Sequence, residues 1–554
     1  MASKFKYFES FLALNDREKR LSWWSTFFGC IPLDWVVGCI LFVLALAFNF
    51  FRLGVPGIWF DEAFSVELAR QPLPLIWHII FGPEPNMELY YLFLHGWLGM
   101  IGALGFPATE FVVRFPSAIF AALASFVLFI LGRRFLHPFA ATVGALLYLL
   151  NNLQLTYAQQ TRSYALQLLL LSLAWYALFR ALTPGYKRRW WGLYIVANTL
   201  AVYTHLFSIL ILLAQLMALC GLWILPGEMK EAVHKQWRIA IASPCAIGLG
   251  ILPMLWESLQ GAKTGWLDIP HRADLYHLFA TIGGDSRLYL LLLVSCILPG
   301  CSVSALLLFS SSWRHRWLIG QSYSKKQHLL FMRQQALFPY IWATACWLVL
   351  PIIISYGVSH GTLRLFSTRY LVTVVPPFFL LVAAGIEVMR WRVVQMGAVI
   401  CLILCALLVV PSYYENAQVE DWNTISVWLA ERYQQQDGLV CYDNEMNQGC
   451  QISLEYYLHT YDPAVHFDAD TPGAFSWSNF GPVNQRVGFA AAADPASLQP
   501  YAAEHQRLFY VIGRLPDAEA AQHVGQARQW LDQHYHFVDQ LVTSTVTIRL
   551  YLTQ

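Results

Sequence analysis

Residues 59–70, WFDEAFSVELAR, set Asp61 and Glu62 side by side among aromatic and aliphatic neighbours. A carboxylate near a bilayer costs free energy unless it is solvated, paired or used, so an acidic pair in this setting is a candidate for proton transfer. Asp61 also has a plainer use: as a helix N-cap it would accept free backbone N–H groups, with Glu62 suited to the first turn. The two uses are compatible, because a carboxylate fixed at a helix start is already positioned. Arg162 in QQTRSYA and Arg369 in STRYLV each stand close to a tyrosine, Tyr164 and Tyr370, at the border of an apolar run. A guanidinium is always charged and forks onto phosphate oxygens, though at a membrane border it can equally snorkel to headgroups. Arg114 in VVRFPSA is similar. Glu84 and Glu88 in PEPNMELYY could line a cavity with Asp61 or bind a metal, and simple solvation serves as well. His205 in YTHLFS is a further candidate for metal or phosphate.

The elements that must position these groups follow from composition. The 554 residues are 57% hydrophobic and 13% charged, too apolar for an ordinary soluble protein, and runs of about 20 apolar residues recur from Trp35 to about Val410. Eleven such spans are counted, which makes the chain a mainly α, polytopic membrane protein. If the first span runs outward, the inner loops and the N-terminal stretch collect 21 of the 30 Lys and Arg before Pro411. That asymmetry puts the N-terminus in the cytoplasm, and Asp61 and everything after Pro411 on the outer face.

The first outer loop, residues 53–114, is the longest, and PLPLIWHIIF and MELYYLFLHGWLGMIGAL within it read as helices at the outer interface. Residues 1–411 thus form the membrane domain and 412–554 an outer α/β domain. In the latter, EDWNTISVWLAERYQQQ and EAAQHVGQARQWLDQHY read as helices, and GLVCYD, RLFYVIGR and TSTVTIRLYLT as strands. Cys441 and Cys450, in CYDNEMNQGC, can pair if that compartment is oxidising, or remain thiols. The chain has no Walker-type glycine loop, dinucleotide fingerprint, Cys-x-x-Cys pattern or serine nucleophile elbow, and its net charge of +2 gives no reason to expect a nucleic-acid partner.

The ordered series WFDEAFSVELAR, NMELYYLFLHGWL, VVRFPSAIFAAL, YAQQTRSYALQLLL, YTHLFSILILLAQ and STRYLVTVVPPFFLLVAAG resembles the GT-C membrane glycosyltransferases over most of the chain up to Pro411. More narrowly, it is similar to the bacterial branch of protein mannosyltransferases and aminoarabinose transferases. The resemblance implies a GT-C fold, a sugar donor carried on a polyprenyl phosphate, and a bacterial inner-membrane location. It also implies a catalytic carboxylate at Asp61 with Glu62 beside it, and a lipid phosphate held by Arg162, Tyr164, Arg369 and Tyr370. Many relatives carry Pro-Pro-Leu-Tyr-Tyr in the first loop where this chain has Met87-Glu88-Leu89-Tyr90-Tyr91, so the role of Glu88 and the need for a divalent metal ion stay open.

A glycosyltransferase of this kind would use an outer-face acceptor that is a lipid, a glycan or a protein, with membrane lipids around it. The rival readings are a transporter or flippase of a lipid-linked glycan and a noncatalytic scaffold. Charges gathered at one face rather than at midplane favour the enzyme.

Overall fold

The structure is a computed structural model that describes residues 32–553, apart from 85, 184–187, 225–227, 260–263, 265–266, 310–324, 390, 444–448, 462–464 and 482–488. The basic N-terminal stretch and residues 310–324, which hold Arg314 and Arg316 of one expected inner loop, therefore lie outside the described residues. Among those described, seven helices are long and apolar enough to cross a membrane, and ten if each of three bent pairs counts as one span. Two of the bends fall at residues 150–151 and at 283–286. The helix Arg189–Thr204, one of the eleven expected spans, is not among those ten. At sixteen residues it rises only about 24 Å against a hydrocarbon core of roughly 30 Å, which is why length alone does not mark it as a span.

The helix Tyr370–Val388 is buried almost throughout and forms the centre of the membrane domain. An apolar surface all round, from Val375 to Ile386, requires such a place. The flanking helices Leu33–Phe50 and Arg392–Glu415 instead leave Ile40, Val43, Leu404 and Leu408 exposed on their outer sides. The last helix continues through Pro411 to Glu415.

The C-terminal part holds one four-stranded sheet, with β1 (Gly438–Tyr442), β2 (Arg507–Ile512), β3 (His536–Val542) and β4 (Thr547–Leu552) in the order β1-β2-β4-β3. β1 and β2 run parallel, and the other pairs antiparallel. The three expected strands are β1, β2 and β4. β3 is an exposed edge strand whose mixed sequence HFVDQLV carries little strand signal. Cys441, at the end of β1, is disulfide-bonded to Cys450 in the following helix.

The first outer loop does not stand apart from this region. Ile58, Val66, Tyr91 and Leu94 share one apolar core with Trp422, Ile425, Leu454 and Tyr457. The helices Leu73–Ile80 and Glu88–Ala103 lie where the sequence expected helices. Trp77, Met100, Leu104 and Phe106 are exposed on them or just beyond, as an interfacial element requires. The segment bearing Asp61 is thereby clamped between membrane helices and the C-terminal core.

Candidate active site

After Phe50 the chain leaves helical geometry, with Arg52 in a left-handed turn at φ 56°, and reaches Trp59 without regular structure. Its buried backbone groups need partners from elsewhere. The Arg114 guanidinium donates to the carbonyls of Leu53 (3.1 Å), Pro56 (2.6 Å) and Gly57 (3.0 Å). Gln159 donates to those of Asn49 and Phe51, both at 2.8 Å. In the other direction, the N–H groups of Gly57, Ile58 and Phe60 donate to Gln418, the Tyr457 hydroxyl and Glu420. A Cβ at Gly57 would sit 2.9 Å from the Gln418 amide and 3.2 Å from the Tyr457 hydroxyl, so those side-chain ends would have to shift.

The helix Phe60–Arg70 starts earlier than the sequence implied. Its N-cap is Trp59, so Asp61 and Glu62 occupy the first turn and Asp61 is not the cap. Consecutive positions on a helix point in different directions, and the two carboxylates have different partners. Glu62 is fully buried. It accepts from Arg114 Nε (2.9 Å) and Nη2 (2.6 Å), a forked pair, and from the Thr161 backbone N–H (2.6 Å). All five N–H groups of Arg114 are thus engaged, two on Glu62 and three on carbonyls. That corrects the expectation that Arg114 could bind a phosphate: no donor is left for one.

Asp61 turns the other way. One of its oxygens lies 2.9 Å from Arg369 Nη1 and 3.7 Å from Arg162 Nη2. Arg162 is fixed by donating to the Asp61 carbonyl (2.9 Å) and the Ser65 hydroxyl (3.0 Å), while Ser65 itself donates to the Asp61 carbonyl. The Arg369 guanidinium lies 5.9 Å from the Trp59 ring. Aromatic rings wall the group: Tyr157 and Tyr164 at 4.4 Å between centroids, Tyr164 and His205 at 5.3 Å, His205 and Tyr370 at 5.3 Å, and Tyr370 and Phe207 at 4.3 Å. Asp61, Arg162, Tyr164, His205, Arg369 and Tyr370, spread over more than 300 residues of sequence, are thus gathered in one place.

His205 is completely buried, and that burial, together with the nearby charges of Arg162 and Arg369, pushes its pKa down to about 3. It is a neutral imidazole at physiological pH. The group formed by Asp61, Arg162 and Arg369 carries one negative and two positive charges, a net +1, while Glu62 and Arg114 neutralise each other. Asp61 keeps 20% of its side chain exposed, so a small molecule can reach it. Four buried polar atoms here, Arg162 Nε, Tyr91 Oη, Tyr164 Oη and His205 Nε2, have no hydrogen-bond partner among the described residues. Such atoms are rare in folded proteins and mark a place where a ligand or water is expected.

Tyr91, Tyr157, Ser65 and Trp59 were not singled out from sequence. Tyr91 and Tyr157 lie within the motifs quoted above, but nothing local distinguishes them from core aromatics. Burial raises the Tyr91 hydroxyl well above its usual range, and the charges of Arg162, Glu84, Asp61 and Glu88 all act on it. Glu84 is half-buried and Glu88 buried in the first turn of its helix, both on the Tyr91 side of the site. Among the described residues no three His, Cys, Asp or Glu side chains are grouped to hold a metal ion.

Arginines, a reachable carboxylate and an aromatic wall thus meet in one site. Residues 93–252 match the dolichyl-phosphate-mannose-protein mannosyltransferase family. That segment includes Arg114, Arg162, Tyr164 and His205 and is under a third of the chain. Among solved structures, ArnT from Cupriavidus metallidurans in the apo state is 14% identical, with 94% of this chain and 98% of that chain covered and a TM-score of 0.47. The same protein bound to undecaprenyl phosphate is 13% identical, with coverages of 95% and 99% and a TM-score of 0.46. The archaeal oligosaccharyltransferase AglB from Archaeoglobus fulgidus, in complex with an inhibitory peptide and a dolichol-phosphate, is 12% identical, with coverages of 96% and 75% and a TM-score of 0.48. No curated protein matches the chain. Likeness of this degree fixes neither chemistry nor substrate, which have to come from the site.

Proposed function

We propose that the protein is a GT-C membrane glycosyltransferase that moves a sugar from a polyprenyl-phosphate donor to an acceptor hydroxyl on the outer face of a bacterial inner membrane. The observation that carries this reading is the placement of one reachable carboxylate, Asp61, against two guanidinium groups with a surplus positive charge. A phosphodiester brings the missing negative charge. Arg369 and Arg162 would hold its oxygens, and Tyr164 and Tyr370 would pack beside them.

In the transfer, the acceptor oxygen forms a bond to the anomeric carbon as the bond from that carbon to the phosphate oxygen breaks. The acceptor proton passes to Asp61, and the electron pair of the broken bond leaves on the polyprenyl phosphate, whose growing charge the two arginines stabilise. A donor phosphate competes with Asp61 for Arg369. Binding of the donor therefore frees a carboxylate oxygen to accept the proton. Glu62, locked on Arg114, is read as a positioning residue that holds the first turn in place.

A lipid-borne donor accounts for a site at the membrane border. The Cys441–Cys450 disulfide supports an oxidising compartment for the C-terminal region, consistent with an outer location and a cytoplasmic N-terminus. The test is incubation of the purified protein with a panel of polyprenyl-phosphate sugars, scored for release of polyprenyl phosphate. Release with at least one sugar is expected. Tight binding without turnover across the panel would point to a carrier instead.

A further inference from the structure

Behind Trp59, on the Glu62–Arg114 side of the helix start, lies a cavity of about 410 Å³ between the first outer loop, the 152–160 segment, the 281–285 turn and the end of the last membrane helix. This is within the roughly 300–1,000 Å³ that small-molecule sites occupy. Its walls carry the amides of Asn152, Gln160 and Asn416, the hydroxyls of Thr156 and Ser412, and the Trp59 indole. We propose that this cavity receives an uncharged, hydroxyl-rich sugar ring.

Charge argues first against an anion. Arg114 reaches the wall, but its five N–H groups are all engaged. Of the two carboxylates in the wall, Glu62 is locked on Arg114, and Asp285, exposed and held in left-handed backbone at φ 59°, would repel a phosphate. Hydrogen-bonding capacity then selects the ligand. On side chains of this wall, Asn152 Oδ1 and Gln160 Oε1 are acceptors and Trp59 Nε1 a donor without a partner among the described residues, shut off from solvent in this conformation. An anion only accepts and an ammonium only donates, whereas a hydroxyl does both, so a ring of hydroxyls meets this mixed wall. The flat indole adds an apolar surface for the ring's C–H face. Trp59 also lies 5.9 Å from the Arg369 guanidinium, which makes the cavity a neighbour of the proposed phosphate site.

The sugar could be the donor's own or the acceptor's, and only that assignment rests on the glycosyltransferase reading. The experiment is saturation-transfer NMR on the full-length protein in detergent, with methyl α-mannoside, α-glucoside, α-galactoside and N-acetyl-α-glucosaminide as probes and inorganic phosphate as the competing anion. At least one glycoside should receive saturation from the wild type. That signal should fall several-fold in Ser412→Trp, which fills the cavity from an exposed helix position, and in Gln160→Ala, which removes an unpartnered acceptor. Affinity for a short-chain polyprenyl phosphate should stay within about two-fold in both, as expected for separate sites. Displacement of the glycoside by a polyprenyl-phosphate sugar but not by polyprenyl phosphate assigns the ring to the donor, and displacement by neither assigns it to the acceptor. The proposal is overturned if no glycoside receives saturation, if the signal is unchanged in both variants, or if inorganic phosphate removes it. Failure of the wild type to bind polyprenyl phosphate would instead overturn the donor reading and leave the cavity result standing.

Discussion

Replacing Arg114 by Met removes the cation from a pair in which both side chains are buried, at 3% and 0% exposure. The carboxylate of Glu62 would be left in the interior with only the Thr161 N–H as donor. Losing one partner of a buried ion pair costs about 3–5 kcal/mol, and the carbonyls of Leu53, Pro56 and Gly57 would also lose their donors, at roughly 1 kcal/mol each where water does not replace them. The sum is comparable with the whole stability of an ordinary domain, about 5–15 kcal/mol, so Arg114→Met should yield little folded protein. Glu62→Gln keeps an oxygen that can accept from Arg114 Nε and Thr161, but it turns an amide N–H toward Arg114 Nη2 and leaves that buried cation without its counter-charge, so it too should cost about 3–5 kcal/mol. Combining Glu62→Gln with Arg114→Met should cost less than the sum of the two, because the uncompensated buried charge is gone. The assay is the fraction remaining monodisperse after heating in detergent, together with donor turnover per folded molecule. The reasoning is refuted if Glu62→Gln withstands heat like the wild type yet loses about two orders of magnitude or more in turnover, the size of effect expected of a direct proton acceptor.

Arg162→Ala and Arg369→Ala should each weaken binding of polyprenyl phosphate by about 1.5–3 kcal/mol, with Lys restoring only part; titration of that product against an Arg52→Ala control checks it, and three equal affinities would make these arginines interface anchors. Glu455, in the helix Gly449–Tyr461, has its pKa raised by burial, with nearby Glu67 adding to the effect, from 4.5 to about 7. Below the lower value the group is protonated whether folded or not. Between the two values only the unfolded chain ionises, so stability falls as pH rises, by roughly 3 kcal/mol in all, and levels off above the upper value. Thermal midpoints of Glu455→Gln and wild type should therefore coincide near the bottom of that window and separate in favour of the variant above it; a constant offset would exclude titration of Glu455. Single cysteines introduced after Glu415 should react with a membrane-impermeant reagent in intact cells and those in the 325–333 segment should not, and the reverse pattern would invert the site's face.

Much of this site is legible in the sequence because a membrane imposes depth. Arg162, Tyr164, His205, Arg369 and Tyr370 sit at apolar-to-polar borders that the positive-inside count assigns to one face, and a shared depth makes a shared ligand reasonable. What depth does not give is azimuth, meaning which span ends are neighbours around the bundle. Arg369 meets Asp61 across 308 positions and Arg114 meets Glu62 across 52, and no local periodicity records either pairing. The division of labour between Asp61 and Glu62 was hidden for the same reason, since it depends on which arginine each side of one helical turn faces. The shared core of the first outer loop and the C-terminal region was also invisible, because Ile58 and Tyr91 look like any interfacial apolar residues until Trp422 and Tyr457 cover them.

The central claim, that Asp61 accepts the proton while Arg162 and Arg369 hold the phosphate, is tested most directly by Asp61→Asn, measured for both turnover and affinity for polyprenyl phosphate. The amide keeps the shape of the side chain and raises the local charge from net +1 to +2. The account predicts a loss of about two to four orders of magnitude in turnover, with phosphate affinity retained or strengthened. Turnover near that of the wild type would contradict it and return Asp61 to the role of a structural counter-ion for the two arginines.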